Sequence, residues 1–336
     1  MDSGLHEEPH TTARVRHVFL TGLPGVGKST LLRTVLRLLG SSLDVAGFYT
    51  IEVNEPRCPR VGFCSVDVNN LSSTQLLASL VDDAELAEAP HRIGPYSVHL
   101  QDYADFVRST FEDRLQGPAP LVAVLDEVGA MQLMSKDFED IVSSLLGPAC
   151  ASGAEASASA LAVGACTCLG TIPVASEHQL QFVEGIRNRH DVVVVEVLHE
   201  NRDQLAHSVC GLVWRAALGA QAADAIGQKL ELARRYEKEL ARRLEPMSRM
   251  AARFNGDHGT YDLHMSTQSA GHACCSCPFF SQSRTCSHVL AIALRGEFVE
   301  VCYQLRSGGA GWAEIGDRMC RPHDSARLSH SDYLLR

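Results

Sequence analysis

Residues 22–29 read Gly-Leu-Pro-Gly-Val-Gly-Lys-Ser, a spacing suited to cradling the phosphates of a nucleotide. Glycines at Gly22, Gly25 and Gly27 let the chain wrap with its N–H groups pointing inward, where a Cβ would block approach to phosphate oxygens. Leu23, Pro24 and Val26 fill the loop, Lys28 adds a fixed positive charge for the β and γ phosphates, and Ser29, followed by Thr30, offers a hydroxyl to magnesium. A second block, Leu121-Val-Ala-Val-Leu-Asp126-Glu127, ends an apolar run in two carboxylates. Asp126 is suited to hold the magnesium ion, directly or through its water, and Glu127 to orient and deprotonate an attacking water. Hydrolysis of a phosphoanhydride also calls for a cation on the transferred group, for which Arg187, Arg189 and Arg202 are the candidates.

A different chemistry sits near the C-terminus, where Cys275, Cys277, Cys286 and His288 place four soft ligands within fourteen residues. In a strand or hairpin, residues two apart share a face, so Cys275 and Cys277 can aim both thiolates at one point. Cys286 and His288 cannot share a face inside a regular helix, so Cys286 is expected in a loop and His288 in the first turn of the helix after it. Four N and S ligands closing a tetrahedron describe structural zinc. The alternative is a set of incidental buried thiols, of which Cys274, with His272 nearby, would be further examples.

These residues need elements to hold them. An apolar run at His17–Leu20 precedes the phosphate loop, and Leu31–Leu39 follows it as a helix with Leu31, Leu32, Val35 and Leu39 on one side. Leu121–Leu125 and Val192–Val197 read as buried strands, as does the second half of the uncharged stretch Ala156–Ser176, too rich in small and polar residues to span a membrane. The alternation from Val15 to about Trp214 predicts an α/β fold with a mainly parallel sheet flanked by helices. The expected organisation is a flexible N-terminus at 1–14, a nucleotide-binding domain at 15–214 with a low-complexity insertion at 147–160, and a helical connector at 215–246. A small α+β zinc module at 247–305 and a polar tail at 306–336 complete it. Within the connector, Asp224–Leu244 reads as a charged helix burying Ile226, Leu230, Ala233, Leu240 and Leu244, stopped or kinked by Pro246. It reads as a solvated link packing one face, with a dimerising or partner-binding helix as the sharper alternative.

At 336 residues and 45% hydrophobic composition the chain can bury a sizeable core, which excludes wholesale disorder. A net charge of −10 argues against a surface that is all nucleic-acid footprint. No secretory signal is visible in residues 1–16, so the expectation is a cytoplasmic or nuclear, not secreted, protein whose twelve cysteines are thiols or metal ligands.

Seven blocks then occur in one order: HVFLTGLPGVGKST at 17–30, AGFYTIEV at 46–53, RVGFCSVDV at 60–68, IGPYSVHL at 93–100, LDEVGAMQL at 125–133, LGTIP at 169–173 and IRNRHDVVVVEVLHENRDQL at 186–205. Together they resemble the small P-loop nucleoside-triphosphatases of thermophilic microbes and their human cancer-related relative. The resemblance implies a fold related to RecA-like and kinase-like P-loop ATPases, and slow magnesium-dependent hydrolysis of ATP, GTP and other nucleoside triphosphates to the diphosphate and phosphate. Residues 22–30, Asp126, Glu127 and Gly129 match the family, as do Arg187, Arg189 and Arg202, implied as nucleotide contacts. The family usually carries Lys and Glu where this chain has Ala130 and Gln132, a paired loss compatible with retained binding and altered hydrolysis.

Cys-Ser-Cys-Pro-Phe at 275–279 and Cys-Ser-His-Val-Leu-Ala at 286–291 resemble a SWIM zinc finger, most closely that of a small protein paired with a recombinase paralog in homologous recombination. That resemblance implies Cys275, Cys277, Cys286 and His288 as Zn²⁺ ligands and a protein or DNA partner. Residues 247–336 carry nine Arg, no Lys and eight acidic residues, too weak a field to insist on DNA. The enzyme reading therefore stands beside a nucleotide-binding adaptor of DNA repair with weak or no hydrolysis. A nucleotide or nucleoside kinase is a third reading, for which the sequence displays no acceptor site.

Overall fold

The computed structural model describes residues 15–39, 42–55, 58–81, 89–112, 121–148, 166–175, 180–247, 251–265, 273–283 and 285–295. The expected flexible N-terminus, all but two residues of the low-complexity insertion, the polar tail and His272 lie outside them.

Strand β1 (His17–Thr21) feeds the phosphate loop and α1 (Lys28–Leu39) leaves it. There follow β2 (Asp44–Glu55), β3 (Cys58–Asp67), β4 (Thr74–Leu80), β5 (Arg92–Ile93), β6 (Tyr96–Val98) and α2 (Tyr103–Glu112). Strand β7 (Leu121–Leu125) leads into the acidic block, and a short 3-10 turn at Gln132–Met134 precedes α3 (Lys136–Leu146). Then come β8 (Thr167–Thr171), α4 (Gln181–Arg187), β9 (Val192–Glu196) and α5 (Arg202–Leu218). One nine-stranded sheet runs in the order β5-β6-β4-β3-β2-β7-β8-β1-β9. Its five strands β2, β7, β8, β1 and β9 are parallel. The other four add antiparallel to the β2 edge, an extension the sequence reading did not foresee.

Every residue of β1, β7 and β8 is buried, as a strand covered on both faces requires. Strand pleating deals β1 to two cores: Val18 and Leu20 join α1 and α5 on one face, and Phe19 joins α2, α3 and α4 on the other. Helix α1 buries Leu31, Leu32, Val35, Leu36, Leu38 and Leu39, a wider band than one contact face needs, because the helix is covered twice. Beneath it lies the sheet; outside it stand α5 and the C-terminal part of the chain.

That part begins with α6 (Ala220–Lys238) and α7 (Leu240–Arg243). The single helix expected over 224–244 is therefore corrected: it breaks at Glu239, and Leu244–Pro246 forms strand β10, where Leu244 pairs with Phe254. Cross-strand pairing wins over the helical stripe, and Pro246, lacking an N–H, ends up on an edge strand that tolerates it. The small sheet is β10-β11-β12-β13, with β11 at Ala251–Gly256, β12 at Gly259–Met265 and β13 at Ala273–Cys275. Helices α8 (Pro278–Ser283) and α9 (Ser287–Arg295) complete it. Helix α6 buries Ala223, Ile226, Leu230, Ala233 and Tyr236 against α5 and α9, and α9 also touches α1. One apolar cluster thus runs without a break from Val18 in β1 to Ile292 in α9. Among the described residues no helix is long and apolar enough to cross a membrane.

Candidate functional site

Parallel pairing sets the C-terminal ends of β1, β8 and β7 along one sheet edge, so the loop after Thr21 and the acidic pair after Leu125 face each other across β8. Gly22 has φ +150° and a Cβ there would stand 2.5 Å from the Val197 carbonyl oxygen; Gly27 has φ +103° and a Cβ would stand 2.5 Å from Cδ of Arg202. Neither position admits a side chain. Leu23 is the exposed crest of the loop and Val26 its buried anchor. Lys28 Nζ donates to the carbonyls of Gly22 (2.8 Å) and Leu23 (3.3 Å), curled over the space it encloses.

Asp126 is fully buried and collects donors. Ser29 Oγ donates to its Oδ1 at 3.2 Å, Thr171 Oγ1 to the same oxygen at 2.6 Å, and the Thr50 N–H to Oδ2 at 3.3 Å, while the Thr50 hydroxyl donates to the Asp126 carbonyl. Burial pushes the carboxyl above its ordinary range, and the bonds from Thr171, Ser29 and Thr50 pull it back. Ser29 and Asp126 together present adjacent hard oxygens, a donor set that fits magnesium. Thr50 and Thr171 went unread as site residues in the sequence, since each stands in a strand with other polar residues and its partner, Asp126, is remote in the chain. Burial also raises Glu127, opposed by the Lys28 charge. Glu127, Thr50, Gln132 and Pro24 line a cleft of about 500 Å³.

The three arginines part company. Arg202 lies along Gly27, its Nε donating to Asp203. Arg187 donates to the Pro173 carbonyl at 2.7 Å, the same oxygen that accepts from Thr21 Oγ1, which puts it at the rim of the site. Arg189 is not at the site: it grips Asp191 through Nε and Nη2 (2.9 and 2.8 Å) and donates to the carbonyls of Leu146 and Gly147. It closes the C-terminus of α3 at the opposite sheet edge, where β1 begins, so its expected nucleotide contact is withdrawn.

At the other centre, Cys275, Cys277, Cys286 and His288 are all buried and their ligand atoms lie within 4.8 Å of one another. His288 Nδ1 is 3.6 Å from Cys275 Sγ and 3.8 Å from Cys286 Sγ. Zn–S of about 2.3 Å and Zn–N of about 2.0 Å set tetrahedral ligand atoms roughly 3.5–3.8 Å apart, so the four side chains fit zinc with Nδ1 as the histidine donor. Hydrogen bonds from Cys286 hold the Cys275 and Cys277 thiols low while the same bonds raise Cys286. Cys286 lies in the loop before α9 and His288 in its first turn. Tyr236 stacks on the His288 ring at 5.6 Å, with Phe254 and Tyr261 also against it. A Cβ at Gly256 would stand 2.9 Å from Nε2. Cys274, half-buried, stays outside the cluster.

Comparison with known proteins places this geometry. A family model described as NTPase matches residues 17–151, and one described as SWIM zinc finger matches residues 262–297. The cancer-related nucleoside-triphosphatase homolog of Mus musculus is 37% identical over 202 residues, 59% of this chain and 96% of that protein. Its Homo sapiens counterpart is 38% identical over 194 residues, covering 56% of this chain and 92% of that one. Nucleoside-triphosphatase THEP1 of Thermotoga maritima is 29% identical over 196 residues, 58% and 94% respectively.

Proposed function

We propose, from the premise that this chain belongs to the nucleoside-triphosphatase family of THEP1 and the cancer-related enzymes, that it hydrolyses ATP, GTP and related triphosphates with magnesium. One observation carries the reading: the loop hydroxyl of Ser29 meets the buried Asp126 carboxylate at 3.2 Å, with Glu127 next in the chain and Lys28 beside it. The loop N–H groups would take the β and γ phosphates, and Lys28 would exchange its own carbonyls for phosphate oxygens. Ser29 and Asp126 would hold Mg²⁺, which supplies charge neutralisation on the phosphates. Glu127 would orient the water and take its proton, and Arg202, with Arg187 at the rim, would meet charge growing on the transferred group.

Phosphate release from ATP and GTP, measured with and without magnesium, tests this. Glu127→Gln and Lys28→Ala are each expected to lower turnover at least 100-fold, with nucleotide binding kept in the first and weakened in the second. Binding without turnover in the unaltered chain would overturn hydrolysis in favour of the nucleotide-switched adaptor, the reading to which the uncharged Ala130 and Gln132 lean.

The Cys/His module would carry Zn²⁺ and take a protein rather than a DNA partner. Among the described residues, arginines in and beside it are engaged: Arg235 and Arg243 with Asp257, Arg253 with Asp262, Arg295 with Glu237. That leaves little unbalanced charge for phosphates.

A further inference from the structure

We propose that the cleft beside Glu127 binds an uncharged alcohol with an apolar body, and that the chain transfers the γ-phosphoryl group to its hydroxyl as well as to water. The inference rests on the nucleotide reading above and extends it. The cleft starts at Pro24 of the phosphate loop, passes Thr50 and Glu127, and runs outward to Phe63, Leu77 and Ile93. An occupant of it would lie against Pro24 of the phosphate loop and against Glu127, the carboxylate assigned to take the acceptor's proton.

Size argues against water as the only acceptor. A water molecule takes up about 30 Å³, whereas the cleft offers about 500 Å³, within the range of small-molecule sites, roughly 300–1,000 Å³. The antiparallel strands β3, β4 and β5 supply Phe63, Leu77 and Ile93 to its wall. Charge narrows the ligand class. Among the described residues the lining includes two carboxylates, Glu127 and Glu184, and neither lysine nor arginine; the neighbouring Arg187 is already paired with Glu184 at 3.3 Å, so a phosphorylated acceptor such as a nucleoside monophosphate would find no free counter-charge in the lining. The polar lining otherwise includes the buried Gln132 amide, able to donate and accept one hydrogen bond to a hydroxyl.

The transfer balances with the groups at hand. The alcohol oxygen bonds to the γ-phosphorus as the bond from that phosphorus to the β–γ bridging oxygen breaks, and the electron pair leaves with the nucleoside diphosphate. The hydroxyl proton passes to the Glu127 carboxylate, as the proton of water does in hydrolysis, and from there to solvent.

The test uses the full chain, ATP, magnesium and 2-phenylethanol, followed by 31P NMR. The expected result is 2-phenylethyl phosphate beside inorganic phosphate, with the ester-to-phosphate ratio falling at least tenfold in Ala130→Trp and in Leu180→Trp, two substitutions on separate walls of the cleft. Saturation-transfer NMR without magnesium is expected to show 2-phenylethanol bound to the unaltered chain and weakened in both variants. Inorganic phosphate alone would overturn the acceptor role while leaving hydrolysis standing; neither product would sink both. An ester yield unchanged in both tryptophan variants would overturn the cleft as its place of formation.

Discussion

A buried carboxylate at a strand end is costly unless it is hydrogen-bonded, and Asp126 meets that condition through Ser29, Thr171 and Thr50. Thr171→Val keeps the volume and removes one bond to a charged acceptor, so its loss should amount to about 1.5–3 kcal/mol. The expected outcome is a tenfold or greater rise in the half-saturating magnesium concentration, read from phosphate release, with a lower melting temperature. Glu127 predicts a pH profile. Its carboxyl is raised by burial, so the acidic limb of kcat/KM should fall at a pH above the ordinary carboxylate range, and removal of that limb in whatever activity Glu127→Gln retains would identify its owner. At this scale the sequence was most informative, because Gly22 to Thr30, Asp126 and the four Cys/His ligands are contiguous or tightly spaced. Thr50 and Arg189 were not legible in the same way: what each side chain meets is decided by the pairing of β2 with β7 and by the end of α3, both remote in sequence.

Strand β1 carries a second buried polar group at its other end. His17 is fully buried, its Nδ1 accepting from the Cys168 N–H at 3.1 Å and its Nε2 3.7 Å from Asp191. Burial depresses it from 6.5 to about 4 despite the attraction of Asp191. Between those values the unfolded chain binds a proton that the folded one does not, so stability is full above about pH 6.5 and declines as the pH falls toward 4, by about 3 kcal/mol at most. Urea melts at pH 7 and pH 4.5 should show that loss, and His17→Gln should flatten it. The strands β1 and β7 and helix α1 were readable from apolar runs and spacing; β9 was readable as a strand but not as the buried one expected, because it lies at the sheet edge and its valines are only half-buried. The break of α6 at Glu239 was not, because helical periodicity continues through Leu244 while a strand partner, Phe254, waits in the next hairpin. For the zinc module, fluorescence titration with duplex DNA at 50 and 200 mM salt should show weak, salt-steep binding at most; tight binding that persists at 200 mM would favour the DNA partner instead.

Among the described residues the Cys/His module is packed as part of the nucleotide fold. The apolar cluster passes from β1 and α1 through α5 and α6 to α9, and Tyr236 of α6 stacks directly on His288. Removing zinc should therefore lower the melting temperature of the entire chain in one transition, with loss of nucleotide-induced stabilisation, in differential scanning calorimetry with and without a chelator. Two separate transitions, with the nucleotide response unchanged, would contradict that packing. Gly256→Ala should mimic chelation in part, by driving a methyl group against His288. Linear motifs mark a nucleotide domain, a connector and a finger each by its own chemistry, and carry no record of which apolar faces meet.

Helix α1 begins at the lysine of the phosphate loop and presents its outer flank to α9. Inheritance must then treat the two halves as one object: a drift in side-chain size along that flank is felt at the metal end and the phosphate end together. Grafting the finger onto another host, or shedding it from this one, would require the flank of the helix that meets α9 to be rewritten.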